Sequence, residues 1–334
     1  MKTNEHIIKN IEDGKKVFLQ ENFRVDHPFR ITRQIFGPNV LDTEGQTHLM
    51  RKREWNTTFG RKKIESDQFQ QILKTAVREG LKYAVSKNNL FLLSEYTPNK
   101  VILDFLGCHD MHPIDHLNMV KPLVDYLETG IKSENYAEAK EYIRKIDFYD
   151  NSNIFEKISS KERQNDLSLL VGAGVETTIV SMKILLTAWA NNNDLFHSSI
   201  KKMGIEDFIV CLLDNDPPLG LATKYCASDT QLGNKIINKG DIVHISITDT
   251  NSSAKCPMHN SDSITKEDIN QTRLTFGHGR HHCPGHLLAK AELKLLAEEL
   301  LSLNINDFNV TNTDPNHQRP VNFRHPAPLL IAPK

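Results

Sequence analysis

The stretch Phe276-Gly277-His278-Gly279-Arg280-His281-His282-Cys283-Pro284-Gly285 places one cysteine between glycines, directly ahead of a helical pattern that begins Leu287-Leu288-Ala289-Lys290. Only the thiolate form of cysteine ligates metal, and a helix N-terminus stabilises that negative charge. Glycines let backbone N–H groups approach a sulfur that side chains would otherwise screen. Hydrogen bonds to a metal-bound sulfur tune its donor strength and its potential. The chemistry indicated is haem iron held by Cys283. Two other readings compete. One is zinc, since His278, His281, His282 and His286 crowd around the cysteine; the other is a structural thiol in a loop-to-helix turn. Zinc leaves Phe276 and the three glycines without a role.

A second constellation, Gly172-Ala173-Gly174-Val175-Glu176-Thr177-Thr178, lies inside the longest apolar periodic stretch, residues 163–191. Each glycine in a helix interior costs roughly 1 kcal/mol relative to alanine, and a buried glutamate costs more unless it is partnered. Three local violations at one spot suggest a site rather than packing. Thr177 can hydrogen-bond back to the carbonyl of Ala173 and bend the helix. Gly174 leaves room for a flat cofactor and a diatomic ligand. Glu176 and Thr177 can then relay protons to bound dioxygen. The plainer alternative is a helix–helix contact through small residues, with Glu176 at its solvent edge.

The first segment reads Phe, Gly, x, Gly, x, His, x, Cys, x, Gly, and in this it resembles the cysteine-ligand loop of the cytochrome P450 family at all six specified positions. The second resembles the same family's oxygen-activation helix, Ala-Gly-x-Glu/Asp-Thr, in the right order along the chain. The resemblance implies Cys283 as the iron ligand of haem b (iron protoporphyrin IX), with Phe276, Gly277, His281 and Gly285 around it. It also implies Ala173 and Gly174 as the oxygen groove, Glu176 as the acid and Thr177 as the alcohol. Haem propionates need cations. His48 and Lys52, an i, i+4 pair, stand where the family has His and Arg, with Arg51 or Arg53 as possible substitutes for the arginine. His281 matches a third partner, and Lys224, beyond Asp216-Pro217-Pro218, a fourth. Lysine is a point charge rather than a planar fork, so the clamp should be looser.

Substrate contacts implied by the resemblance fall on Ile35, Phe36 and Val40, on Leu169 and Ala173, and on Leu219 and Leu221, with the tail near Phe323 contributing; each also reads as a core position. The implied activity is monooxygenation of a small organic substrate, a biosynthetic intermediate, with dioxygen. Electrons would come from a separate ferredoxin or flavodoxin with its reductase, docking where Arg280 and Lys290 supply positive charge. Two alternatives stand beside it: a non-oxygenating or peroxide-driven haem enzyme, and a catalytically degenerate haem-binding sensor or scaffold.

These residues need a scaffold. At 334 residues, 39% hydrophobic and 25% charged, the chain is globular, and its net charge of −1 leaves no basic excess for a nucleic acid. Five scattered cysteines form no disulfide framework, the N-terminus lacks an apolar leader, and no apolar run is long enough for a membrane span. A cytoplasmic protein is expected. Helical spacing predicts helices over 48–60, 66–86, 115–147 in two pieces interrupted near Gly130, 163–191 and 284–303. The run 101–106 fits strand or helix, short strands fit 225–250, and 251–272 is loop-like. The cluster from Cys108 through His109, His112 and His116 reads as a turn after a helix rather than a metal site, because Pro113 breaks the helical face. Trp55 and Phe59 read as core packing. The expectation is a mainly α protein with a small β-rich part, a single haem-binding domain over 1–334 with a P450-like fold shortened at the N-terminus and in the lid region.

Three departures from the family pattern stand out. The chain is short. Its Glu-x-x-Arg pair is missing, with Cys211 and Asp214 in those positions, and Glu206 has the wrong spacing to substitute. The loop 251–272 lacks the aromatic-arginine segment that completes that tie. Losing both ends of a buried ion pair is less damaging than losing one.

Overall fold

A computed structural model describes residues 3–145, 154–172, 174–259 and 264–334. Helices dominate: α1 (Ile11–Leu19), α2 (Ile31–Phe36), α3 (Gly45–Thr58), α4 (Arg61–Ile64), α5 (Asp67–Ser86), α6 (Leu93–Leu106), α7 (Pro113–Thr129), α8 (Tyr136–Lys145), α9 (Ser160–Gly172), α10 (Glu176–Asn191), α11 (Asn193–Met203), α12 (Ile205–Asn215), α13 (Ile247–Thr250), α14 (Lys266–Asn270) and α15 (His286–Ser302). The strands are β1 (Glu5–Ile8), β2 (Phe23–Arg24), β3 (Leu221–Cys226), β4 (Thr230–Leu232), β5 (Lys235–Ile237), β6 (Ile242–Ser246), β7 (Phe308–Asn312) and β8 (Leu329–Pro333). The mainly α architecture with a small β part is as expected.

Local chemistry sets the boundaries. Ser66 caps α5 by accepting from the Phe69 N–H, and Phe69, Leu73, Ala76, Val77, Gly80 and Ala84 repeat at helical spacing along its buried face. Pro113 opens α7 at a position that needs no N–H, and Gly130 ends it in the left-handed region, where the sequence predicts an interruption. The ambiguous run 101–106 is the end of α6, and the turn predicted around Cys108 to His112 follows it.

The main sheet runs β1-β6-β3-β2: β1 is parallel to β6, with Ile8 opposite Ile245, while β3 is antiparallel to both β6 and β2. Two antiparallel hairpins, β4-β5 and β7-β8, complete the β content of the described residues. Apolar side chains gather in three clusters. One lies among α2, α3 and α5 to α9, one around α10, α12 and α15, and one beneath the main sheet. The α9–α10 stretch is long and apolar enough by composition to cross a bilayer, but 82% of its apolar window is buried inside the protein, which marks a core helix.

That stretch departs from the expected single helix. Helix α9 is described as far as Gly172, and Gly174 and Val175 form a turn before α10 begins at Glu176. The Gly174 N–H reaches back to the Leu169 carbonyl at 3.0 Å, a span wider than a helical turn. Two glycines within three residues make the helix weakest there. Gly172 has a second role: a Cβ on it would come within 2.5 Å of the Phe36 ring, so only glycine admits that ring against α9.

Candidate functional site

The loop from Phe276 to Gly285 folds back on itself. The Cys283 N–H donates to the Phe276 carbonyl at 2.8 Å, and the His282 N–H to the Gly279 carbonyl at 3.1 Å. Gly277 and Gly279 both adopt positive φ, +70° and +66°, a conformation that glycine takes without strain. A Cβ on Gly279 would also meet the Leu19 side chain at 2.9 Å, so α1 lies hard against the loop. Cys283 comes to rest three residues before α15, half-buried. Burial pushes its thiol up, while the backbone N–H groups of Gly285 and His286 and the charge of Lys52 pull the other way. The sulfur thus faces the donors of a helix N-terminus, the arrangement that favours a thiolate once a cation binds it.

The α3 face carrying His48 and Lys52 points at the same loop. His48 Nε2 lies 3.1 Å from the Arg280 carbonyl, and Lys52 Nζ donates to the His282 carbonyl. The His48 ring also contacts the His281 ring, centroids 4.1 Å apart. Burial lowers the pKa of both His48 and Lys52. Arg51 does not substitute for the family arginine. It is 1% exposed and pairs with Asp166, which also accepts from the Trp55 indole at 3.0 Å. Neighbouring helix positions face different directions, and Arg53 is exposed.

Lys224 points inward from β3, 3% exposed, with Nζ 5.6 Å from the Phe18 ring centroid and no hydrogen-bond partner among the described residues. Burial brings its pKa down to about 8. His281 Nε2 lies 3.3 Å from Glu44 Oε2, an ion-pair distance without hydrogen-bond alignment. Burial lowers His281 to about 4, with the charges of His48 and Lys224 adding to the effect. Glu44 also takes the Arg280 Nε at 3.1 Å. Sequence reasoning missed Glu44 as a member of this cluster.

These residues fit a haem. One half-buried sulfur lies near the Gly285 and His286 N–H groups, which favour its thiolate, and beside it stand Lys52, His48, His281 and a buried Lys224 with no hydrogen-bond partner among the described residues. The zinc alternative lacks a ligand set, since among the described residues no three His, Cys, Asp or Glu side chains converge to hold a metal ion.

Glu176 is the first residue of α10, 7% exposed, and its Oε1 lies 2.8 Å from His325 Nε2. Thr177 follows, half-buried, its carbonyl accepting from Ser181 Oγ at 2.7 Å. Gly174 is exposed, and Val175 beside it is buried. Ala173 lies outside the described residues. Of the expected substrate contacts, Ile35, Phe36, Val40 and Leu169 are buried in the first apolar cluster. Leu219 and Leu221 are half-buried, and Leu219 bridges Phe323 of the tail.

A hydrogen-bonded clasp occupies the place of the missing ion pair. Thr275, just before Phe276, donates to Asp214 Oδ1 at 2.5 Å and accepts from Asn251 Nδ2 at 2.9 Å, while Asn251 Oδ1 accepts from the Leu274 N–H at 3.1 Å. The clasp ties α12 and the segment after α13 to the cysteine loop. The signal was available in Asp214, which stands at the family's arginine position.

No protein-family model matches the chain. A curated cytochrome P450, CYP107DY1 of Priestia megaterium, is 25% identical over 301 residues, covering 79% of this chain and 69% of the relative. A cytochrome P450 of Bacillus subtilis is 26% identical over 210 residues, covering 61% of this chain and 49% of the relative. The chain therefore matches between about half and two thirds of the length of these relatives. Among solved structures, P450 RauA, complexed with a biosynthetic intermediate of aurachin RE, superposes with a TM-score of 0.78 at 19% identity, over 98% of this chain and 90% of that one. P450BioI, in complex with an acyl carrier protein ligated to hexadec-9Z-enoic acid, gives 0.78 at 16% identity, over 98% and 92%.

Proposed function

We propose that this chain, which belongs to the cytochrome P450 family, is a haem-thiolate monooxygenase in which the whole chain acts as a single haem-binding catalytic domain. Haem b would be held through Cys283 Sγ, with its two carboxylates toward His48, Lys52, Lys224 and His281, and with Phe276, Gly277 and Gly285 shaping the loop. Bound there, it supplies the activation of dioxygen and the oxidation of a substrate C–H bond.

The protein's own part is positioning and proton handling. The Gly285 and His286 N–H groups, with the Lys52 charge, hold the sulfur as an anion. Gly174, exposed and without a side chain, would leave its backbone approachable, and the family resemblance gives Ala173 the same role. The Glu176 carboxyl and the Thr177 hydroxyl, adjacent on the first turn of α10, carry protons toward the oxygen being reduced. A small organic substrate, a biosynthetic intermediate, would lie against Leu219, Leu221 and Phe323, where the turn after Pro218 meets the tail. Ile35, Phe36, Val40 and Leu169, in the first apolar cluster, would contribute from the core side. Electrons would come from a separate ferredoxin or flavodoxin with its reductase. Its docking surface would be Lys290 with the exposed Arg61, Lys62 and Lys63 of α4, which packs on α15. Arg280 is a poor docking group because Glu44 holds it. A cytoplasmic location suits such partners.

The observation that carries this reading is the Cys283 sulfur at the start of α15, with Lys52 and the unpartnered, buried Lys224 in the same loop region. The test is the ferrous–carbon monoxide spectrum of wild type beside Cys283→Ser. The expected result is the long-wavelength Soret band of a thiolate-ligated carbonyl, lost in the variant. Protein that stays colourless when supplied with haemin, or whose carbonyl complex absorbs like a histidine-ligated globin, overturns it. A degenerate haem-binding scaffold is the less favoured reading, because the clasp at Thr275 compensates the ion pair whose loss argued for it.

A further inference from the structure

The tail supplies Glu176 with a partner that no sequence spacing connects to it. His325 Nε2 lies 2.8 Å from Glu176 Oε1, with side-chain exposures of 27% and 9%. The backbone that carries the imidazole is fixed from several sides. Its backbone N–H donates to the Phe323 carbonyl at 2.8 Å, and its carbonyl accepts from His317 Nε2 at 3.0 Å and Arg319 Nε at 3.4 Å. Arg319 is anchored on Asp216 at 2.6 Å, and the Phe323 N–H on Glu128 of α7 at 2.8 Å. The Arg324 N–H donates to the Pro218 carbonyl at 2.9 Å. Elements on three sides therefore hold the backbone that brings one ring nitrogen to ion-pair distance of the buried carboxylate.

The two exposures differ in the sense a proton route requires. The carboxyl faces the interior beside the helix break, and the imidazole reaches water. Imidazole has two ring nitrogens, so one can hold a partner while the other exchanges with solvent. We propose that His325 is the positioning residue and solvent-side proton station of Glu176, an inference that rests on Glu176 being the acid of the proposed activity. After Glu176 releases its proton toward the oxygen being reduced, the Nε2 proton of the imidazolium passes to the carboxylate. Water then returns a proton to the neutral ring. No electron moves in this exchange. The other charged groups around the pair are Glu128 of α7, Asp216 after α12, and Arg319 and Arg324 of the tail.

The experiment uses the haem-loaded protein. Histidine-selective NMR of its ferrous–carbonyl form, with the His325 signal assigned by its loss in His325→Gln, compares the His325 ring signals of wild type and Glu176→Gln at one pH. The signals should move in Glu176→Gln, because the carboxylate oxygen 2.8 Å from Nε2 is replaced by a neutral amide; unmoved signals overturn the pair. Dioxygen reduction driven by a surrogate ferredoxin and its reductase is then measured in H2O and D2O. His325→Gln and Glu176→Gln should each slow it by at least about ten-fold with an altered solvent isotope effect, and the double variant should be no slower than either. A wild-type rate in His325→Gln beside a slowed Glu176→Gln overturns the station and leaves Glu176 as the acid. Wild-type rates in both variants overturn both. The Glu176→Gln spectrum reads the pair even if His325→Gln folds poorly.

Discussion

Glu292 gives the sharpest test of the structure's energetics. It lies on the inner face of α15, 2% exposed, with Leu288, Leu293 and Leu296 as buried neighbours on the same helix. Its Oε2 has no hydrogen-bond partner among the described residues. Burial alone raises its pKa from 4.5 to about 8. Ionising a carboxyl against such a shift costs on the order of 5 kcal/mol, an upper figure because water entry and relaxation soften it. The folded pKa lies above the unfolded one. Between about pH 4.5 and pH 8 the folded chain therefore keeps a proton that the unfolded chain has released, and stability falls as pH rises through that window.

The perturbation is Glu292→Gln, which keeps shape and hydrogen-bonding capacity but cannot ionise. Urea unfolding of both proteins is followed from pH 5.5 to pH 9, and only their difference is used, so that every other titrating group cancels. The variant should gain on wild type by about 3 kcal/mol between pH 6 and pH 8.5, with a plateau above that. A difference that stays flat with pH refutes the reasoning, as does a variant less stable than wild type by the same amount throughout. Either result means that the carboxylate is ionised and partnered in solution.

Lys224→Met removes a buried ammonium with no partner. At pH 7 the cofactor-free protein should become more stable by on the order of 2–3 kcal/mol, because a lysine whose pKa is lowered to about 8 burdens the fold below that pH and ceases to do so as pH rises toward 10.5. The same change should speed haem loss to a globin acceptor; slower haem loss would remove Lys224 from the propionate cluster. Thr275→Val deletes the hydroxyl at the centre of the clasp. It should cost about 2 kcal/mol in urea unfolding and speed haem transfer, and an unchanged unfolding midpoint would show that the clasp does not hold the loop.

The sulfur loop was legible because its constraints are local. Two positive-φ glycines, a cysteine and a helix start lie within one short segment, and each can be read without knowing the rest of the chain. His48 and Lys52 were legible for a similar reason, since i, i+4 spacing puts both on one face whatever that face meets. The same rule did not reveal that Arg51 turns into the core toward Asp166, because the partner lies on a helix distant in sequence. The break in the long apolar helix was half legible. Two glycines marked the weak point, but whether a weak point bends or opens depends on packing such as Phe36 against Gly172. The His325–Glu176 pair and the Thr275 clasp were illegible, because each joins segments that only the tertiary fold brings together.

The charge balance around the loop ties these observations together. Burial alone would push the Glu44 carboxyl up, yet His281 and the charge of Arg280 bring it down to about 2, so it is an anion at any physiological pH. It is the carboxylate that Arg280 and His281 share, and Lys224, Lys52 and His48 lie nearby, held by backbone carbonyls or by nothing. Carbonyl oxygens orient a cation without neutralising it. Burial holds His48 and His281 toward their neutral forms, so the positive charge is that of Arg280, Lys52 and Lys224, which among the described residues outnumber the one carboxylate of Glu44, at a cost in stability that the fold alone does not recover. A bound group bearing carboxylates would reverse that cost, since removing one partner of a buried pair is worth several kcal/mol and restoring it is worth as much. The clasp at Thr275 fits the same logic. A neutral hydroxyl and amide hold the loop to α12 without adding another buried ion pair, so the loop's electrostatics would be left to a bound haem and the residues around it.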